Sequence, residues 1–393
     1  MFLKSFLLRC RPLICAIILL AAFTFDHAHG FHHSAKVLTR ALSPVGLAPI
    51  HQKGLVVPLG EKDFFLLTNQ NRPKERSNGK VTMFLSVGDV AKTIGKFANG
   101  NGFGDRSTYF LTRIVFLRAL AFVYGTAFLV ALKQNKPLIG NKGITPAKTY
   151  LSYRRSSLEN QKKMQGKKAG LADLLYNFPT LLWLIKDKDM DRALDTFAAL
   201  GLFLSGAVSL LGAANLPIML SLWALYFSIV TVGQTWYGFG WESQLLETGF
   251  LAAFAVPVLS LSPWAGPVPW LAVWGFRWLL FRIMIGAGLI KIRGDSCWRD
   301  LTAMHYHYET QPVPNPLSYW LHKLPGWYHK AETAMNHVVE LACPWLLLVP
   351  WRRAAAAGGL LQIAFQAVLV SSGNLSFLNW LTAVPGVWAL DDA

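Results

Sequence analysis

The 393-residue chain is 53% hydrophobic, only 15% charged and holds 15 tryptophans, whereas soluble domains carry roughly 25% charged residues. That balance excludes an ordinary water-soluble globule and points to the bilayer as solvent. The formal net charge of +17 raises nucleic acid as a partner, but the excess is concentrated in one stretch and no nucleic-acid fold signature accompanies it, so no nucleic-acid partner is expected.

Taken in order, the chain opens with Lys4, Arg9 and Arg11 ahead of an apolar run over 13–25, closed by the small residues Ala28 and Gly30. This reads as a signal peptide over 1–30. Residues 31–106 follow as a poorly ordered or transit-like tail, with Lys36, Arg40 and Lys53 and no acid between 31 and 60. Phe31, just after the candidate cleavage point, resembles the leaders of algae with complex plastids, so the membrane of a complex plastid stands as an alternative location.

Residues 107–393 read as a transmembrane domain. The first span, 111–132, carries Arg113 and Arg118. A basic loop over 133–170 then sets Lys133, Lys136, Lys142, Lys148, Arg154, Arg155, Lys162, Lys163, Lys167 and Lys168 against the single acid Glu159 up to 168. Such asymmetry beside an apolar helix is the positive-inside signal, with anionic lipid headgroups as the natural partner. The stretch 171–185, short and interrupted by Pro179, reads as re-entrant or interfacial.

Residues 196–241 contain no Asp, Glu, Lys or Arg. With about 20 residues needed per crossing, they hold parts of two helices, 193–214 and 217–233, joined at Asn215 and Pro217. Further candidates are 245–261, 270–290, 336–350, 355–371 and 375–390. The expected fold is therefore an all-α polytopic bundle of roughly six to eight spans. Ionisable and amide side chains at that depth turn inward, which nominates Arg113, Arg118, Glu242, Glu247, Arg277, Arg282, Gln366, Asn374 and Asn379 for the bundle interior. Trp236, Tyr237, Trp241, Trp264, Trp270, Trp351 and Trp380 fit an interfacial belt. No inverted repeat marks a transporter.

The densest chemistry lies in a loop over 291–334, which packs charge, His and Pro between two apolar helices. Arg293, Asp295, Cys297, Trp298, Asp300, His305, His307, Tyr308, Glu309 and Asn315 are the candidate client- or substrate-binding residues. Pro312, Pro314 and Pro316 impose extended backbone. On a strand His305, His307 and Glu309 would share one face, but no second cluster at zinc spacing appears, and neither a metal nor a cofactor is expected. Lys291 has two readings: a snorkelling lysine steadied by a helix C-terminus, or a partly desolvated base with His337 and Glu340 nearby. Cys297 is either redox-active or an inert thiol; beyond the leader only Cys343 accompanies it. Asn374-Leu375-Ser376 forms a glycosylation sequon.

The stretches R-G-D-S-C-W-R-D-L-T (293–302), H-Y-E-T-Q-P-V-P-N-P (307–316), G-N-L-S-F-L-N-W-L-T (373–382), Y-F-L-T-R-I-V-F-L-R-A-L-A-F-V-Y (109–124) and G-W-E-S-Q-L-L-E-T-G-F (240–250) resemble the lipase maturation factor family, collinearly from Ser107 to the C-terminus. The resemblance implies a non-enzymatic, chaperone-like protein of the endoplasmic reticulum membrane that helps secreted homodimeric lipases fold and assemble, with the 291–332 loop handling clients. On that reading Lys291→Ala leaves stability largely intact. Family members typically continue past Ala393, and some carry a second Cys where Ala303 stands. A more distant similarity of A-G-L-I-K-I (287–292), His337 and I-A-F-Q (363–366) to vitamin K-dependent gamma-carboxylase implies instead an enzyme acting on a quinone or lipid-like substrate. Lys291 would be its base, in a cavity lined by Arg277, Arg282 and Trp residues.

Overall fold

A computed structural model describes residues 108–392, apart from 312 and 314. The signal peptide and the tail read from the sequence lie outside the described residues. The described chain is helical, with no strand.

Helix α1, Phe110–Ile139, buries Phe116, Leu120, Tyr124, Phe128 and Ala131 along one stripe, the spacing at which an α-helix stacks side chains on a face. It runs seven residues beyond the apolar stretch, through Pro137, and ends where the Gly140 amide bonds the carbonyls of Asn135 and Lys136. Lys133 and Lys136 therefore stand on a projecting helical turn and not on a loop. Most of the remaining basic residues form a second helix, α2, Ala147–Met164, which sets Ala147, Leu151 and Leu158 inward. That apolar edge packs against Ile139, Trp183, Met190, Leu194 and Val232. The predicted basic loop is thus largely helix, because three apolar residues at helical spacing suffice to dock an otherwise polar segment.

The stretch 171–185 does not cross. Asn177 and Pro179 break it into α3, Leu171–Asn177, and a 3-10 turn, Leu181–Leu184, anchored where Thr180 donates to the Ser228 carbonyl at 3.1 Å. Helix α4, Met190–Leu211, and α5, Leu216–Val232, turn at the predicted point. Gly212 takes a left-handed φ of 67°, and the Asn215 side chain caps α5 by accepting from the Ile218 amide at 3.1 Å, ahead of Pro217 in the first turn. Helix α6, Gly240–Ala253, precedes α7, Trp270–Arg293; α12, Arg352–Ser372, and α13, Leu378–Gly386, close the chain. Between α7 and α12 lie α8, Ser296–Arg299, α9, Met304–His307, α10, Ser318–His322, and α11, Gly326–His337.

By length and composition four helices can cross a membrane: Phe110–Ile139, Asp187–Leu211, Trp270–Arg293 and Arg352–Ser372, with Leu216–Val232 a shorter apolar one. The other predicted crossings come out shorter or irregular. The 245–261 stretch stops as helix at Ala253, before Pro257; 336–350 passes into a π-turn, Val338–Ala342, and a 3-10 turn, Cys343–Leu348; 375–390 yields only α13 and a 3-10 turn. Pro257 and Pro344 each withdraw a backbone donor near the change. The protein is nonetheless an all-α polytopic membrane protein, as its apolar helices require.

The core gathers around Trp388, which is fully buried and stacks on Phe276 with ring centroids 5.2 Å apart. Helix direction follows from contacts at the ends. Tyr109 meets Trp270 at 5.9 Å, so α1 and α7 start at one end. Arg352 pairs with Asp391, and Asp392 accepts from the amides of Phe110 at 2.5 Å and Thr112 at 3.0 Å, so α12 starts there too. Three parallel helices deliver the segments that follow α1, α7 and α12 to the opposite end.

Candidate functional site

At that opposite end α7 meets the π-turn. Gly288 allows the approach: a Cβ there would lie 2.6 Å from Leu341 Cδ2 and 3.1 Å from Glu340 Cβ. One turn on, Lys291 forms an ion pair with Glu340, whose side chain is 3% exposed. Lys291 Nζ also donates to Asn336 Oδ1 at 3.1 Å, and Asn336 Nδ2 donates to Glu340 Oε2 at 3.0 Å. The extra residue that a π-turn inserts accompanies this inward placement of Glu340. Gln362 of α12 donates to the Val339 carbonyl within the turn at 2.9 Å. The Lys291 ammonium lies 4.9 Å from the Trp298 ring centre, and His337 Nε2 bonds the Trp298 carbonyl at 2.9 Å. Lys291, Glu340 and His337, nominated together in the base reading, converge near Trp298.

The strap beyond is built on these anchors. Arg299 caps α7 through the Ile292 and Gly294 carbonyls at 3.0 and 3.1 Å, and Asp295 accepts from the Cys297 amide at 3.2 Å. Cys297 and Cys343 are free thiols; burial, then the neighbouring Asp295, pushes the Cys297 thiol up, which disfavours the reactive thiolate. Tyr308, buried, donates to Glu332 at 2.9 Å, and burial raises its phenol. Glu332 also receives His329 Nδ1 at 3.1 Å, while His329 Nε2 faces the His322 carbonyl at 3.2 Å. His322 in turn meets Glu309 at 2.9 Å. Gln311, 3.2 Å from His307 Nε2, donates to the Ser372 carbonyl at 3.2 Å; Ser318 donates to the same carbonyl at 3.1 Å, and Asn315 to Gly373 at 3.2 Å. The strap is therefore pinned across the end of α12. A cleft of about 180 Å³ opens at this seam, lined by Asn315, Asn374, Asn379 and Trp380 among others.

Several expectations need correction. His305, His307 and Glu309 share no face, because 304–307 is helical and residues two apart then diverge. His305 turns to His329, with rings 4.9 Å apart, His307 to Gln311 and Glu309 to His322. Among the described residues no three His, Cys, Asp or Glu side chains converge as metal ligands. Arg293, Asp295 and Asp300 are exposed. Arg277 donates to the Trp388 carbonyl at 3.0 Å and the Tyr109 hydroxyl at 3.2 Å, and Arg282 pairs with Glu247. At 1.5 Å per residue Arg277 and Arg282 stand about 21 and about 14 Å along α7 from Lys291, each engaged with partners of its own.

Of the residues nominated for the bundle interior, Arg113, Glu242, Arg277, Gln366 and Asn379 are buried, and Glu242 accepts from Tyr226. Glu247 and Arg282 are half-buried, whereas Arg118 and Asn374 are exposed. Arg118 reaches the Leu210 carbonyl at 3.3 Å near the end of α4, and Asn374 accepts locally from the Ser376 amide at 3.3 Å. Sequence reasoning missed Asn336, Gln311, His329, Glu332 and Gln362. Gln311 stands inside the 307–316 stretch, whereas Asn336 and Gln362 are buried by contacts with distant elements that leave no local signal.

Residues 111–393 match the family model described as the lipase maturation factor transmembrane domain. The chain belongs to the lipase maturation factor family. It is 54% identical over 288 residues to lipase maturation factor 1 of Bos taurus, covering 73% of this chain and 50% of that protein. Against the Mus musculus counterpart it is 55% identical over 288 residues, 73% and 49% of the two chains. It is 36% identical over 296 residues to lipase maturation factor 2 of Homo sapiens, 72% and 40% of the two. The chain thus spans about half the length of the lipase maturation factor 1 proteins it matches. No solved structure matches it.

Proposed function

We propose that this protein is a non-enzymatic maturation factor of the endoplasmic reticulum membrane that assists the folding and assembly of secreted lipases. The observation that carries this reading is the match of residues 111–393 to the lipase maturation factor domain. The strap from Lys291 to Glu332 is the proposed client surface. Its inner residues are held by hydrogen bonds, while Tyr306, Tyr319, Trp320 and Trp327 are each at least 59% exposed, offering aromatic area to apolar segments of a partly folded chain. Membrane lipids are the second partner, meeting exposed apolar side chains of the long helices such as Phe122 and Phe203.

The carboxylase-like alternative gains no support, since the Lys291 ammonium is engaged by Glu340 and Asn336 and its expected arginine partners stand elsewhere. The test is restoration of secreted lipase activity in cells lacking their own maturation factor, with crosslinking to the client. The expected outcome is rescue by the chain and loss of crosslinking in Trp320→Ala/Trp327→Ala. Absence of rescue and of any lipase crosslink, or targeting of the natural leader to a plastid membrane, would overturn the proposal.

A further inference from the structure

The connection between α6 and α7 stands apart from the strap, at the end where α1 begins. Between Glu247 and Arg277 no residue is charged, yet helix occupies only the two ends of this stretch. Helix α6 has 14 residues, about 21 Å of rise against roughly 30 Å of hydrocarbon, so the chain leaves helical form short of a full crossing.

Irregular backbone at such depth requires its carbonyls to find partners in the protein, and several of them do. Arg113, 1% exposed, donates to Pro263, to Ala265 at 3.2 Å and to Gly266 at 3.3 Å. The Leu216 amide bonds the Pro257 carbonyl at 3.0 Å, and Asn215 Nδ2 bonds that of Leu259 at 3.1 Å. The loop's exposed face is mostly apolar: Val258, Leu259, Leu261 and Trp264 are between 53% and 77% exposed, and the exposed Ser260 and Ser262 hydroxyls between them accept from the Ser262 and Trp264 amides at 3.1 and 3.3 Å.

We propose that residues 254–269 form a loop inserted into the adjoining leaflet, with Arg113 as the internal cap of its carbonyls and lipid acyl chains as the occupant of its outer face. Continuity with the apolar helix surface on both sides, and the absence of any charge that would hold the loop in water, favour lipid over a protein partner. Arg113, read from the sequence as a costly charge at membrane depth, is the device that lets an irregular segment enter the bilayer.

Single cysteines at Leu259 or Leu261, in a chain whose Cys10, Cys15, Cys297 and Cys343 are serine, are labelled with an environment-sensitive fluorophore and reconstituted in phosphatidylcholine vesicles. Both positions are exposed, so the label perturbs no packing. The expected result is blue-shifted emission, strong quenching by nitroxide-bearing acyl chains and loss of quenching by aqueous iodide, relative to a label at exposed Gly166. Iodide quenching equal to that at Gly166 would place the loop in water. Shielding from both quenchers would assign its outer face to protein. Either result overturns the proposal.

Discussion

Lys291 and Glu340 are 49 residues apart and reach one another only because Gly288 admits the π-turn. Removing one member of a buried pair leaves an uncompensated charge, at a cost of about 3–5 kcal/mol, whereas replacing both by apolar groups is far milder. Lys291→Met is therefore expected to lower the thermal midpoint in detergent markedly and Lys291→Met/Glu340→Leu to recover most of it, measured by differential scanning fluorimetry. This reverses the expectation that Lys291 is dispensable for stability. A midpoint unchanged in the single variant would show that the pair contributes nothing.

His307 gives a pH dependence of definite sign. Burial, then the nearby Lys291 charge, holds its imidazolium below the usual value of 6.5, with Glu332 opposing. The unfolded chain then takes up this proton first as pH falls. The stability His307 contributes is present above about 6.5 and lost on acidification toward its lower folded value. Amide hydrogen exchange across 304–311, corrected for intrinsic rates, should accelerate between about pH 7.5 and pH 5.5 and do so less in His307→Gln.

At the scale of elements, close helix approach rests on missing side chains. Gly201 of α4 lies under the Phe128 ring of α1, and Gly288 of α7 lies against the π-turn. An added methyl at Gly288 would meet Leu341 Cδ2 at 2.6 Å and Cγ at 2.8 Å, an overpacking worth about 1–3 kcal/mol. Gly288→Ala should destabilise by that order in detergent unfolding, and Leu341→Ala in the same chain should restore part of the loss. The four long helices were legible in the sequence because hydrocarbon offers backbone groups no partner, so each carries a long apolar run that a few charges do not hide. Helix α2 was not legible. Its helical form depends on three apolar residues, Ala147, Leu151 and Leu158, docking on elements supplied from elsewhere in the chain.

For the whole molecule, the consequence of parallel α1, α7 and α12 is that the basic α2 and the aromatic strap emerge at the same end. Asp191 near the start of α4 receives the Asn141 amide at 2.7 Å, at the end of α1, which keeps the connecting segment 140–189 from crossing. Glycosylation acceptors inserted at Gly166 and at Leu317, both exposed positions, are therefore expected to be modified together or spared together in microsomes. Modification of one alone would break the topology. A lumenal strap, as client handling requires, thus carries α2 to the lumen with it and sets the excess of cations against the positive-inside expectation.

Read in one dimension, the residues already gave the solvent, the helical class, the turn at Asn215 and Pro217, the density of chemistry in 291–334 and the family kinship. These follow from local composition and from motifs read in order. Folding in three dimensions settled which apolar stretches form helices long enough to cross a membrane, that the strap and the basic segment share an end, and which charges are partnered. Those depend on contacts between residues far apart in the chain: Glu340 for Lys291, the loop carbonyls at 263–266 for Arg113, and the amides at the start of α1 for Asp392.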